Sequence, residues 1–340
     1  MFENLPCPDK LDKKDIVELL QKEEYGFLPF DDFKVSAEIL DENSTFCAGK
    51  AILKKIKLTS RSSKGEFSFP LSYSCLADNS KKKPLFILIN FRPDVPDKYL
   101  PSEELADNGY DVMSFCYSDI TTDDENFDNG VAKLFCPDGR RSPHTCGKIR
   151  MWAWALMRVI DYAVTLDFID KERIFVVGHS RLGKTALLAG ALDDRIRCAF
   201  SNNSGCSGAA LSRNKKGETV AKICELFPYW FCENYKKYAD KEETLPFDQH
   251  FLIAANYPHN VYVASAEGDL WADPENEYTS CLAASSYYTS RGKTGLVSYK
   301  ETAQIGDRFD DGNIGYYKRA GLHYLSREDW LSFIKYANKL

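Results

Sequence analysis

The chain has 340 residues, 44% apolar and 28% charged, with a formal net charge of −6. These values describe a globular protein with room for one large domain or two smaller ones. They offer no basic surface to nucleic acid or an anionic membrane, and no apolar run is long enough to cross a bilayer. The opening residues, Met1-Phe2-Glu3-Asn4-Leu5-Pro6, have neither the basic nor the apolar region of a secretory signal, so none is expected in the sequence as given. The 11 cysteines are scattered, odd in number and contain no C-x-x-C pair. Several, such as Cys75, Cys116 and Cys198, sit in apolar runs, where a thiol behaves as a small hydrophobe. The expectation is reduced core thiols in a cytoplasmic setting, with no metal site and no cofactor.

In chain order, residues 12–21 read as a short helix with Ile16, Leu19 and Leu20 on one face, ended by Gly26 and Pro29. Residues 50–58 and 67–75 read as antiparallel strands joined by Arg61-Ser62-Ser63-Lys64-Gly65. In the second, Phe67, Phe69, Leu71, Tyr73 and Cys75 alternate onto one face. Residues 85–89 are continuously apolar, the pattern of a strand buried on both faces, and 111–116 form the next strand. Residues 119–145 are polar and rich in Gly and Asp, a loop over one face, and 149–163 form a helix. Later strands are expected at 198–201, 261–265 and 314–319. Ser326-Arg327-Glu328-Asp329 resembles a capping box, opening a last helix that turns Trp330, Phe333 and Ile334 inward. An antiparallel start followed by alternating strands and helices predicts an α/β fold with a mostly parallel sheet. Residues 1–340 read as one domain. Residues 1–83 are its N-terminal helix and antiparallel strands, and 203–258 are an insertion over the sheet.

The chemistry centres on Ile174-Phe175-Val176-Val177-Gly178-His179-Ser180-Arg181-Leu182-Gly183-Lys184. A β-branched apolar run turns through Gly178 and Ser180 into an apolar-periodic helix. Strand, tight turn and helix with a Ser at the bend is the nucleophile elbow of α/β-hydrolases. The bend holds the hydroxyl clear of the backbone, and the new helix aims its first N–H groups at the same place, ready for an oxyanion. The spacing departs from G-x-S-x-G, because Leu182 holds the second glycine's place and Gly183 follows. A helix-capping Ser on an ordinary turn is the alternative.

A Ser nucleophile needs a base and an orienting acid. On this fold they follow as acid, then His, from loops at the carboxyl ends of later strands. Of the five histidines, His144 precedes the elbow, His179 lies inside it, His250 falls in the insertion and His259 at its end. His323, just past the last strand, stands where the base belongs. The acid belongs just past 261–265, where Glu267, Asp269 and Asp273 stand, with Asp269 best placed. Arg181 and Lys184 put two cations beside the nucleophile. They suit an oxygen-rich acyl group better than an apolar one, unless both simply pair with surface carboxylates.

Gly178-His179-Ser180-Arg181-Leu182-Gly183-Lys184 resembles the G-x-S-R-x-G-K motif of the glucuronoyl esterases, carbohydrate esterase family 15. The likeness continues in Ser201-Asn202-Asn203-Ser204-Gly205, Gly217-Glu218-Thr219, Phe227-Pro228-Tyr229-Trp230-Phe231, Leu245-Pro246-Phe247-Asp248-Gln249-His250, Asp269-Leu270-Trp271-Ala272-Asp273-Pro274 and Gly321-Leu322-His323. The resemblance implies an α/β-hydrolase fold, with antiparallel N-terminal strands and helices on both faces of the sheet. It implies a carboxylic ester hydrolase acting on esters of (4-O-methyl-)glucuronate, as in lignin–glucuronoxylan linkages. It also implies that Arg181 binds the oxyanion and uronoyl carbonyl, that Lys184 contacts sugar hydroxyls, and that Glu218 and Trp271 line the sugar site. Some members carry the acid on the loop after the strand that follows the elbow helix. Here that loop reads Ser201-Asn202-Asn203-Ser204, so the expected triad is Ser180, His323 and Asp269. His179 stands where many members have Cys. An acetyl or general carboxylesterase acting on decorated sugars is the competing reading, although an acetyl group has no use for the two cations. A non-catalytic carbohydrate-binding relative is the third. The expected partner is a glucuronate-bearing saccharide ester.

Overall fold

The computed structural model describes residues 4–78 and 80–340, so the first three residues of the N-terminal run read above lie outside it. Among the described residues the strands are β1 Lys34–Asn43, β2 Ala51–Ser62, β3 Gly65–Leu76, β4 Lys83–Asn90, β5 Asp111–Cys116, β6 Ile169–His179, β7 Cys198–Asn202, β8 Asn260–Ala266, β9 Arg308–Phe309 and β10 Ile314–Arg319. They form one sheet in the order β1-β2-β3-β5-β4-β6-β7-β8-β10-β9. The run from β5 to β10 is parallel throughout. β1, β2 and β3 form an antiparallel meander that joins β5 antiparallel. This is the expected α/β-hydrolase architecture. No described helix is long and apolar enough to cross a membrane.

Period-2 geometry explains the central strands. In β4, Leu85, Ile87 and Ile89 enter one core while Phe86 and Leu88 enter the other; in β6, Ile174 and Val176 part from Phe175 and Val177 in the same way. Each such side chain is buried at roughly 1.5–3 kcal/mol of hydrophobic stabilisation. The helices Lys148–Ala163 and Arg181–Leu192 cover the first face, and Ser102–Asp107 and Arg327–Ala337 the second. Ser326 and Asp329 form the capping box of the last helix, with Trp330, Phe333 and Ile334 buried.

Three differences from the sequence reading have physical causes. The β2–β3 turn is only Ser63-Lys64, because Ser62 already pairs with Gly65. β1 was not expected: it is an edge strand exposed at every position but Val35, so no alternation betrays it. The helix Pro274–Thr289 was not expected either. It buries Tyr278, Cys281, Tyr287 and Tyr288 together with Glu277 and Ser280, and so has no clean apolar stripe.

Candidate active site

β6 ends at His179 and the next helix begins at Arg181, so Ser180 alone makes the turn. Its φ of 58° and ψ of −129° are sparsely populated for a residue with a side chain, a strain of about 1–3 kcal/mol that the surroundings must hold. The Ser180 N–H donates to Asn202 O at 2.9 Å. Its side chain makes no capping bond, so the hydroxyl is not used as a helix cap. Gly178 makes the bend possible, since a Cβ there would lie 1.9 Å from Leu182 O. At Gly183 a Cβ would meet Ser201 Oγ and Ser204 Cβ at 3.0 Å. The close approach to the loop after β7 therefore falls at 183, while Leu182 is buried in the core. That accounts for the shifted glycine spacing.

Asp269 lies three residues past β8 and His323 four past β10. His323 Nδ1 donates to Asp269 Oδ2 at 2.5 Å, which leaves Nε2 as the basic nitrogen. The two loops are tied together: Glu267 N donates to Arg319 O and Gly268 N to Gly321 O, both at 2.9 Å. Buried Arg319 pairs with Asp329 through Nε at 2.9 Å and donates to the carbonyls of Ala320, Leu322 and Tyr324, fixing the backbone around His323. The other two acids are engaged elsewhere. Glu267 pairs with Lys318 at 2.6 Å, and Asp273 accepts from Lys216 N at 2.8 Å and caps the helix Pro274–Thr289. His144 and His250 bond to the carbonyls of Lys22 and Pro6, away from the elbow.

Ser180, Arg181, Lys184, Glu218, Asp269, Trp271 and His323 all line one cavity of about 360 Å³. Lys184 is buried; its Nζ donates to Ser204 O and Cys206 O at 2.5 Å and lies 3.6 Å from Glu218 Oε2. Glu218 N donates to Trp271 O at 3.0 Å, joining the insertion to the Asp269 loop. Trp271 is 45% exposed and lines the cavity. Arg181 pairs with Asp123, and its guanidinium lies 4.7 Å from the Trp230 ring centroid. Both cations thus have carboxylate partners, but Asp123 and Glu218 are largely buried beside the cavity, not on the outer surface.

Sequence reasoning gave no role at this site to several residues around it, although Phe227, Trp230 and His179 stand in the family-like stretches quoted above. Asp123 was one of many acids in a loop, and nothing local distinguished it. Phe227 and Trp230 line the cavity and stack in parallel at 3.8 Å. His179 donates from Nδ1 to Asn202 Oδ1 at 2.6 Å, and its ring centroid is 4.4 Å from that of His323. Burial, reinforced by the neighbouring His323, pushes its pKa down to about 3, so it is a neutral ring against His323.

A sequence model of the fungal glucuronyl esterase family matches residues 56–292. A carbohydrate esterase from an unknown prokaryotic organism is 40% identical over 238 residues, 69% of this chain and 55% of its own length. A 4-O-methyl-glucuronoyl methylesterase from Hypocrea jecorina is 28% identical over 205 residues, 58% of this chain and 44% of its own. The chain spans about half the length of these curated relatives. The solved glucuronoyl esterase from Solibacter usitatus matches with a TM-score of 0.89 at 29% identity, covering 97% of this chain and 92% of that one.

Proposed function

The chain belongs to the glucuronyl esterase family, and from that premise we propose that it hydrolyses carboxylic esters of glucuronate through an acyl-enzyme on Ser180. The observation that carries the reading is the 2.5 Å Asp269–His323 contact beside a Ser on a strained bend, in a cavity that also holds Arg181. Ser180 Oγ attacks the ester carbonyl while His323 Nε2 takes its proton. Asp269 holds the tautomer and stabilises the imidazolium. The first N–H groups of the elbow helix have no helical acceptor and receive the oxyanion, at about 3–4 kcal/mol per donor. His323 then protonates the leaving alcohol, and water repeats the sequence to release glucuronate.

Arg181 adds a cation at the carbonyl. Lys184 donates to sugar hydroxyls, Glu218 accepts from them, and Trp271 packs on the apolar face of the ring. The many scattered cysteines support a reducing, cytoplasmic setting, which favours esters of small imported saccharides over an intact lignin–xylan polymer.

Hydrolysis of methyl glucuronate tests the mechanism. Ser180→Ala is expected to lower kcat by roughly 10⁴-fold or more, and Asp269→Asn by a comparable factor through the wrong His323 tautomer. A Ser180→Ala protein that keeps wild-type turnover would remove Ser180 as the nucleophile.

A further inference from the structure

The segment between β5 and the helix Lys148–Ala163 does more than cover the sheet. It delivers Asp123, whose side chain is only 13% exposed, to the back of Arg181. Four contacts converge there. Oδ2 accepts from Arg181 Nη1, and from Tyr117 Oη at 3.1 Å. Oδ1 accepts from Trp230 Nε1 at 2.6 Å, and the backbone carbonyl accepts from Tyr229 Oη at 2.9 Å. The donors come from the elbow helix, the turn after β5 and the insertion between β7 and β8. The loop is itself fixed: buried Lys148 donates to Thr121 Oγ1 at 2.7 Å and to Asn126 O at 2.6 Å, on either side of Asp123.

The arrangement decides where the guanidinium points. Arg181 lies 4.7 Å from the Trp230 ring centroid, 5.4 Å from that of Phe227 and 5.7 Å from that of Phe91. Trp230 is in turn held by Asp123, so one carboxylate orients both the cation and the aromatic plane beneath it. A free Arg side chain has about 2 kcal/mol of rotamer entropy to lose, and a preoriented charge is what stabilises a developing oxyanion. Among the described residues the Arg181 guanidinium donates only through Nη1, to Asp123, so the fork keeps Nη2 as a donor beyond the one on Asp123. Asp123 itself does not line the cavity.

We propose that Asp123 is a positioning residue, which holds Arg181 and Trp230 as a unit so that the guanidinium meets the ester carbonyl. The proposal rests on the esterase reading of the cavity. It makes the long loop before the helix Lys148–Ala163 part of the enzyme's oxyanion stabilisation.

A double-mutant cycle tests it. Asp123→Asn keeps an acceptor for Trp230 and removes the charge. Its kcat/KM for benzyl glucuronate is expected to fall about 10–100-fold, mainly in kcat, and p-nitrophenyl acetate, whose carbonyl meets the same guanidinium, is expected to lose activity as well. In an Arg181→Ala background the same substitution is expected to add almost nothing. Equal losses with and without Arg181 would make Asp123 a structural residue only and overturn the proposal. Should Asp123→Asn fold poorly, Trp230→Phe removes the Nε1 donor while keeping a ring under Arg181. A smaller loss with the same dependence on Arg181 supports the proposal, and a loss independent of Arg181 overturns it. A wild type inactive on benzyl glucuronate would overturn the substrate reading instead, and the cycle is then read on whichever ester the protein does hydrolyse.

Discussion

At the scale of single residues, two buried groups pull stability in opposite directions with pH. His179 has its pKa held near 3 by burial and by the neighbouring His323, against 6.5 for a free histidine. The unfolded chain therefore binds the extra proton first, so His179 favours the folded state above pH 6.5 and that contribution is lost as pH falls toward 3. Glu277 accepts from Gly205 N at 2.8 Å and Ser265 Oγ at 2.5 Å beneath the cavity floor. Burial raises its pKa from 4.5 to about 7. The folded chain holds that proton, so its contribution is fully present below pH 4.5 and lost as pH rises through about 7. Melting temperatures measured from pH 3 to 8 are expected to show both limbs. His179→Cys should flatten the acid limb and Glu277→Gln the neutral one. Unchanged slopes in the variants would show that other groups control the profile.

At the scale of elements, the elbow depends on a backbone crossing that admits no side chain. Gly178→Ala puts a methyl group 1.9 Å from a carbonyl oxygen of the following turn, where neither partner can move far. The expected loss in urea unfolding is roughly 3 kcal/mol or more, with ester hydrolysis abolished. Gly183→Ala meets two Ser side-chain atoms at 3.0 Å, and about 1–3 kcal/mol is expected. A Gly178→Ala protein of wild-type stability would mean that the bend has another way to form. The same elements show what a sequence can disclose. β4 and β6 were legible because burial on both faces writes a continuous apolar run, and the last helix because its capping box is local. β1 and the helix Pro274–Thr289 were not, since one is exposed and the other is buried with polar groups in its faces. Ser180, Asp269 and His323 could be named from their order and their places after strands. Asp123 and Arg319 could not, because their importance comes from partners brought near by folding: Arg181 is 58 positions from Asp123, and Arg319 acts by shaping the loop that carries His323.

At the scale of the molecule, the parallel sheet brings the ends of β6, β8 and β10 to one edge, and the insertion between β7 and β8 walls the cavity with Glu218, Phe227 and Trp230. Ser180, Asp269 and His323 stand on the sheet's own loops, while Arg181, Lys184, Glu218 and Trp271 stand on the elbow helix, the insertion and the Asp269 loop; in the proposed mechanism the first group does the chemistry and the second reads the acyl part. This division predicts that chemistry and selectivity separate. Loss of Trp271 should leave a working serine esterase that no longer favours a sugar acyl group. The most direct measurement is the ratio of kcat/KM for benzyl glucuronate to that for p-nitrophenyl acetate, in wild type and in Trp271→Ala. The account predicts a strong preference for the glucuronate ester in wild type, and a marked fall of that preference in the variant with acetate hydrolysis largely retained. A wild type that prefers acetate, with a ratio Trp271→Ala leaves unchanged, would contradict it.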